Sequence, residues 1–350
     1  MKRKVAILGA TGAVGQRLVS LLLDHPWFKV DVLAASERSA GKKYGNVCKW
    51  ILESPMDPGI GEMVVVNCDI ESLERAGNVD FVFSCLPPEV SKNVEEKIAV
   101  KYPIFSKAST HRLEKDVPLI IPEINPDHLS LIPIQRKVRK CAGFISTDPN
   151  CSTIQLAMTL KPLMTFGVSK VLVSTMQALS GAGYPGVASL DILGNLIPFI
   201  PNEEEKIELE TLKVLGDFDG EKVHNANIEI SASCCRVNVR DAHTQFVYVQ
   251  LESKPDWTEV KEAFKNFRGV PQLLKLPSAP ELPIVVRDEN DRPQPIFDKN
   301  AGMGMSVVVG RVRQDPAMTI KYTCLGHNTI RGAAGASILT AELTVAKGYV

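Results

Sequence analysis

No charge of either sign is in excess: 40 Lys and Arg face 40 Asp and Glu, for a formal net charge of zero. That argues against the basic stripe of a nucleic-acid or membrane-surface binder, and it lowers the electrostatic barrier to self-association. Long apolar runs are missing too, because no segment approaches the roughly 20 apolar residues of a membrane span. The basic start Met1-Lys2-Arg3-Lys4 imitates a signal peptide, but the apolar stretch after it is broken by Gly9, Thr11 and Gly12. No Cys-x-x-Cys occurs and no cysteine stands with histidine at zinc spacing, so no metal is expected. Unpaired thiols in a reducing cytoplasm account for seven of the cysteines, Cys48, Cys68, Cys85, Cys141, Cys234, Cys235 and Cys324. What is present is a full core. Hydrophobic residues make up 45% of 350 residues and charged ones 23%, which fits a soluble globular enzyme of two domains.

The first part of the chain alternates short apolar runs with helical patterns. Lys4–Leu8, Val30–Ala34, Met63–Val66, Val79–Ser84 and Pro103–Phe105 read as strands, with helices after Gly15 and over 90–100. Alternation of this kind implies βαβ units and a doubly wound parallel sheet, a Rossmann-like nucleotide-binding layout within an α/β chain. Beyond residue 151 the pattern changes. Lys170–Met176, Ile228–Val239, Thr244–Glu252, Met305–Arg313 and Met318–Leu325 read as longer strands, the second and third as a hairpin. They predict an α+β second domain with a mixed, largely antiparallel sheet and an oligomer surface. A charged helix is expected over 203–215. Ile330–Ala346 reads as a helix rich in small residues that packs back on the first domain. The division expected is 1–150, completed by 328–350, and 151–327.

Gly9-Ala10-Thr11-Gly12-Ala13-Val14-Gly15 sits between a strand and a helix, where glycine lets backbone approach a pyrophosphate and the helix N-terminus supplies donors. The spacing is G-x-x-G-x-x-G, so the general fingerprint is only partly met, and a tight turn without ligand stays open. After the second strand come Ser36-Glu37-Arg38-Ser39, with Lys42 and Lys43 close by. An NAD enzyme usually places an acidic residue there for the ribose hydroxyl. Ser36, Arg38 and Ser39 instead suit a 2′-phosphate, favouring NADP, although Glu37 and a solvated loop remain as the alternative.

Cys151 follows Asp148-Pro149-Asn150, and Asn150 is a good N-cap for the apolar-periodic stretch 154–166. A cysteine at the first helical position meets free N–H groups and the positive dipole end, which favour the nucleophilic thiolate. Of six histidines, His243 has the most informative context, Arg236-Val237-Asn238-Val239-Arg240-Asp241-Ala242-His243. Across a hairpin it would come back to Arg236, pairing an acid/base with a carboxylate-binding guanidinium. By spacing alone a polar hairpin end is the stronger reading. Arg112 suits an anion or the surface, and Glu203 to Lys206 reads as a solvated helix face.

Together GATGAVGQR, LAASERSAGKKYG, DVPLIIPEIN, TDPNCST, TMQALSGAGYPG, RVNVRDAHT and HNTIRGAAGAS resemble aspartate-β-semialdehyde dehydrogenases of the archaeal and fungal branch, through essentially the whole chain. The resemblance implies NADP-dependent, phosphorylating oxidation of L-aspartate 4-semialdehyde to L-4-aspartyl phosphate, a reaction serving lysine, methionine and threonine biosynthesis. It matches Cys151 to the nucleophile that forms a thioester and His243 to the acid/base. Gln177 matches the residue orienting the intermediate. Arg236 matches the ligand of the substrate α-carboxylate, Glu203 that of the amine, and Lys206 and Arg112 the phosphate site. Thr11, Gly12, Ala13, Val14, Ser36, Arg38, Ser39, Gly181 and Asn328 match cofactor contacts. It further implies a cytoplasmic homodimer or homotetramer with inorganic phosphate as co-substrate. A malonyl-CoA reductase would share the thioester chemistry and differ in binding a CoA thioester in place of an acyl phosphate. N-acetylglutamyl-phosphate reductase fits less well, because its cysteine motif differs. A non-catalytic NADP-binding protein would have no reason to keep Cys151, His243, Arg236 and Gln177 together.

Overall fold

The computed structural model describes residues 2–350, so Met1 of the basic start lies outside it. Strand β1 (Arg3–Leu8) is apolar along most of its length because a parallel strand is covered on both faces; Val5 to Leu8 are fully buried. Beside it lie β2 (Phe28–Ala35), β3 (Val66–Asn67), β4 (Phe81–Ser84), β5 (Pro103–Ser106) and β6 (Phe144–Thr147). Their order is β3-β2-β1-β4-β5-β6, and every neighbouring pair is parallel. The order reverses between β1 and β4, the switch point at which doubly wound sheets open a crevice. The strand expected at Met63–Val66 shrinks to two residues, since Val64 is already exposed and Val65 bonds back to Lys42. Helices α1 (Ala13–Leu22) and α2 (Pro88–Ala99) follow β1 and β4.

After β6 the chain enters α3 (Cys151–Leu160) across Asp148, Pro149 and Asn150. A second six-stranded sheet follows. Its members are β7 (Val168–Gln177), β10 (Glu229–Arg236), β11 (His243–Leu251), β12 (Ile284–Val286), β13 (Val307–Gln314) and β14 (Ile320–Gly326). The small pair β8 (Asp217–Phe218) and β9 (Val223–His224) stands apart. In the order β10-β7-β11-β14-β13-β12, the three central pairings are antiparallel and the two outer ones parallel. The hairpin expected for β10 and β11 does not form. β7 lies between them, parallel to β10 and antiparallel to β11, because Val237–Ala242 crosses over the end of β7.

Alternation gives the central strands of this sheet two unlike faces. Val171, Val173, Val247 and Val249 enter the core with Ile154 and Leu156 of α3. Leu172, Phe246 and Tyr248 occupy the other face, where Leu172 and Phe246 are exposed. Helix α4 (Glu203–Val214) packs against α3 and β10. The last helix does not start as read from sequence: Ile330–Ala334 forms a π-helical turn before α5 (Gly335–Ala346). α5 is buried from Gly335 to Thr344, and Ile338, Leu339 and Leu343 join the core of the first sheet. A helix apolar on all sides is held inside, so the end of the chain ties the two halves together. No helix among the described residues is long and apolar enough to cross a membrane.

Candidate active site

Strand ends and one helix start converge between the sheets. Asn150 caps α3 as its sequence predicts: its side-chain oxygen accepts from the N–H of Ser152 at 2.8 Å and of Thr153 at 3.3 Å. Cys151 is the first residue of that helix and half-buried. His243 begins β11 and is fully buried, with Nε2 3.2 Å from Cys151 Sγ. Its Nδ1 accepts the Ala178 N–H at 2.9 Å. A ring nitrogen that accepts an N–H carries no proton, so the neutral imidazole keeps its hydrogen on Nε2, facing the sulfur. Burial, then Arg236, then His327 hold His243 down at about 3, so the ring is neutral throughout the physiological range.

Arg236 ends β10 and Gln177 ends β7, paired in register across the parallel ladder. Arg236 and His243 do come together, but from two strands flanking β7 and not from one hairpin. Gly181 marks the spot: a Cβ there would lie 2.8 Å from Arg236 Nη1 and 3.0 Å from His243 Cε1. Only glycine fits this close approach. Arg236 Nη1 donates to Ala178 O at 2.7 Å, while Gln177 Nε2 donates to Thr175 Oγ1 at 3.3 Å.

The charge run is solvated only in part: Glu205 is exposed and Glu204 partly so, but Glu203 turns inward. Glu203 is buried and accepts from Asn150 Nδ2 at 2.8 Å, with Lys206 Nζ 3.9 Å away at partial exposure. Glu210, about two helical turns further on, accepts the Asn150 backbone N–H at 2.6 Å and pairs with Arg112 Nη1 at 2.9 Å. Arg112 is therefore buried beside the cysteine turn, its Nη2 on Lys107 O at 2.7 Å and its Nε without a partner. Behind Cys151 stands Gly332, where a Cβ would come within 2.6 Å of the Cys151 Cβ. The adjacent Arg331 is clamped by Glu123 through two bonds of 2.8 and 2.6 Å, both side chains fully buried.

Two effects oppose each other at the resting thiol, whose helix position favours ionisation and whose burial opposes it. Burial pushes Cys151 up to about 12 and Glu203 adds to the rise, against the pull of Lys107, Arg112 and Arg236. Asn150 has already taken the helix N–H groups of Ser152 and Thr153. Sequence reasoning missed Lys107, Glu210 and His327, which look like ordinary charges until their burial is seen. The vicinal Cys234 and Cys235 sit at successive strand positions, so they face opposite sides of the sheet.

The glycine loop opens a cavity of about 650 Å³ at the β1–β4 switch point, lined by Gly9, Thr11, Gly12, Ser36, Glu37, Asn67 and Asp69. Gly9 has φ +71°, and a Cβ on it would reach Cys85 O at 2.8 Å. Glycine here keeps the floor of the crevice open, as a dinucleotide requires. Arg38 is exposed and Ser39 closes a turn onto Ser36 O at 2.8 Å; neither lines the cavity. Ala13 lines a smaller cavity of about 240 Å³ with Ser180, Tyr184 and Thr329, and Val14 packs against the first core. Asn328 bridges two loops, accepting from Ala242 N and donating to Ser180 Oγ, each at 2.8 Å.

The semialdehyde dehydrogenase NAD binding domain matches residues 4–132, and the semialdehyde dehydrogenase dimerisation domain matches residues 160–331. An aspartate-semialdehyde dehydrogenase of Methanothermobacter thermautotrophicus is 53% identical over 97% of this chain and 98% of its own. A malonyl CoA reductase (NADP) of Metallosphaera sedula is 41% identical over 99% and 98%. The crystal structure of the Candida albicans aspartate semialdehyde dehydrogenase with NADP superposes with a TM-score of 0.91 at 38% identity, covering 99% of this chain and all of that one. Two matched domains, a shared fold and relatives alike from end to end agree: the chain belongs to the aspartate-semialdehyde dehydrogenase family, in its archaeal and fungal branch.

Proposed function

We propose that this protein is an NADP-dependent aspartate-semialdehyde dehydrogenase that interconverts L-aspartate 4-semialdehyde and L-4-aspartyl phosphate through a thioester on Cys151. The observation that carries this reading is the 3.2 Å contact between Cys151 Sγ and a neutral His243 whose Nε2 proton faces the sulfur. Thioester formation splits one difficult transfer into two easier ones. Cys151 attacks the aldehyde carbon as thiolate. His243 lends its Nε2 proton to the oxygen as negative charge develops and takes it back when the carbonyl re-forms. NADP, when bound in the glycine-floored cavity, supplies the acceptor for the hydride. Arg236 anchors the substrate α-carboxylate, Glu203 its ammonium, and Gln177 the oxygen of the reacting carbon. Arg112, with Lys206 at the rim, receives the phosphate whose oxygen displaces the Cys151 sulfur and leaves the aspartyl phosphate. Thr11, Gly12, Ala13, Val14, Ser36, Gly181 and Asn328 are assigned to the cofactor side, with Arg38 and Ser39 reserved for the 2′-phosphate.

The division of labour follows residues 1–150 with 328–350 on the cofactor side and 151–327 on the substrate and assembly side. The exposed Leu172 and Phe246 on the outer face of β7 and β11 suit a second copy of the chain, as a homodimer or a dimer of dimers. Eight thiols unpaired in the structure fit a cytoplasmic enzyme of amino-acid biosynthesis. Steady-state reduction of NADP by purified protein should require both aspartate semialdehyde and inorganic phosphate. Turnover with malonyl-CoA and none with the semialdehyde would favour the second reading, the reductase suggested by the Metallosphaera relative.

A further inference from the structure

A buried cation stands behind the nucleophile. Lys107 follows β5, and its side chain is only 10% exposed. Its Nζ lies 3.5 Å from Pro149 O, 3.3 Å from Gly332 O and 3.6 Å from Asp148 Oδ2. Pro149 belongs to the turn that delivers Cys151, and Gly332 is the backbone packed against the Cys151 Cβ. The ammonium is thus bracketed by the two backbone segments between which the cysteine sits. The three groups nearest Nζ are acceptors, which suits an ammonium with three donors, although burial and the nearby Arg112 pull its pKa below the usual lysine value against the support of Asp148. Asp148 pairs with this ammonium at 3.6 Å and helps keep it protonated, while its carboxylate also accepts from Ser337 Oγ and from Thr340 Oγ1 at 3.0 Å.

The other charges around the thiol are engaged elsewhere. Arg112, from the loop after β5, is neutralised by Glu210 of α4. Arg236, from β10, faces the proposed site of the substrate carboxylate. His243, from β11, is neutral, and Glu203, from α4, opposes ionisation. The helix start gives little, since Asn150 occupies the N–H groups of Ser152 and Thr153. We propose that Lys107 is a positioning residue for the reaction, whose ammonium, fixed between the Pro149 and Gly332 carbonyls, stabilises the Cys151 thiolate while its proton leaves to water. The proposal rests on the reading of Cys151 as nucleophile. Among the cations pulling the thiol down, Lys107 ranks first.

The test is the pH dependence of Cys151 alkylation by iodoacetamide, read by mass spectrometry of the Cys151 peptide, in the wild type, Lys107→Met, Lys107→Gln and Lys107→Arg. NADP affinity serves as the check on folding. The neutral variants should raise the apparent thiol pKa by about one unit, slowing alkylation at pH 7 about tenfold, with NADP affinity unchanged. Lys107→Arg should restore most of the rate. Profiles that superimpose on the wild type would overturn the proposal, and so would loss of folding in both neutral variants, which would mark the lysine as structural. Failure of the nucleophile reading shows separately, as turnover that survives Cys151→Ala.

Discussion

The two clefts of this molecule are built from different materials. The crevice at the β1–β4 switch point has a floor of backbone at Gly9, Gly12 and a helix start, and walls of small polar and apolar residues among which Glu37 and Asp69 carry charge. The floor around Cys151 is made of side chains, with Arg112, Glu203, Glu210, Arg236 and His243 all buried within one polar cluster. A backbone site tolerates exchange of most side chains and fails when glycine geometry is lost. A side-chain site concentrates its chemistry in a few groups, each costly to bury alone. The contrast teaches that the first cleft should control cofactor affinity and the second the rate.

Substitutions divide along that line. Cys151→Ala should lose on the order of 10⁴-fold or more in turnover with NADP affinity intact, because no other group can carry the acyl. For His243→Asn a fall of about 10²–10⁴-fold in kcat is expected, the usual worth of a positioned proton donor. Arg236→Leu should raise the KM for aspartate semialdehyde about 10- to 100-fold through loss of charged hydrogen bonds, with little change in KM for NADP. On the other side of the comparison, Gly9→Ala should weaken NADP binding about tenfold at nearly unchanged kcat under saturating cofactor. Its φ of +71° and the 2.8 Å approach to Cys85 O force the loop to move. Were Gly9→Ala to cut kcat as deeply as His243→Asn, the division between the clefts would not hold.

The smallest effect concerns stability. His243 takes up its proton near pH 6.5 in the unfolded chain but only near 3 in the folded one. Between those values the unfolded state binds more protons, so the contribution is complete above 6.5 and is lost as pH falls, by about 1.4 kcal/mol per pH unit. His327, held down to about 4, adds to the same limb. Urea midpoints at pH 7 and pH 5 should drop in the wild type and drop less in His243→Asn; equal slopes would remove the buried neutral imidazole from the account.

Legibility in the sequence follows the same division. The glycine loop and the Asn150 cap are local signals, set by spacing over a few residues, and both stand where they were expected. From sequence the partnership of Arg236 with His243 reads as a hairpin, because strands adjacent in the chain usually pair. The order of strands depends on long-range packing, and β7, from 60 residues earlier, took the place between them. Glu203 reads from sequence as part of a solvated run with Lys206, since a charge pattern carries no record of burial. The same holds for Lys107, which is one lysine among many until the Pro149 and Gly332 carbonyls are seen around it. The helix-start argument for an ionised thiol counted donors that the Asn150 side chain in fact consumes.

The central claim, a thioester on Cys151 formed beside His243, is tested most directly by a rapid-quench experiment with NADP and aspartate semialdehyde in the absence of phosphate. The account predicts a burst approaching one NADPH per active site and an aspartyl acyl group on the Cys151 peptide by mass spectrometry, both absent in Cys151→Ala. A full burst with Cys151 unmodified, or an unchanged burst in Cys151→Ala, would contradict it.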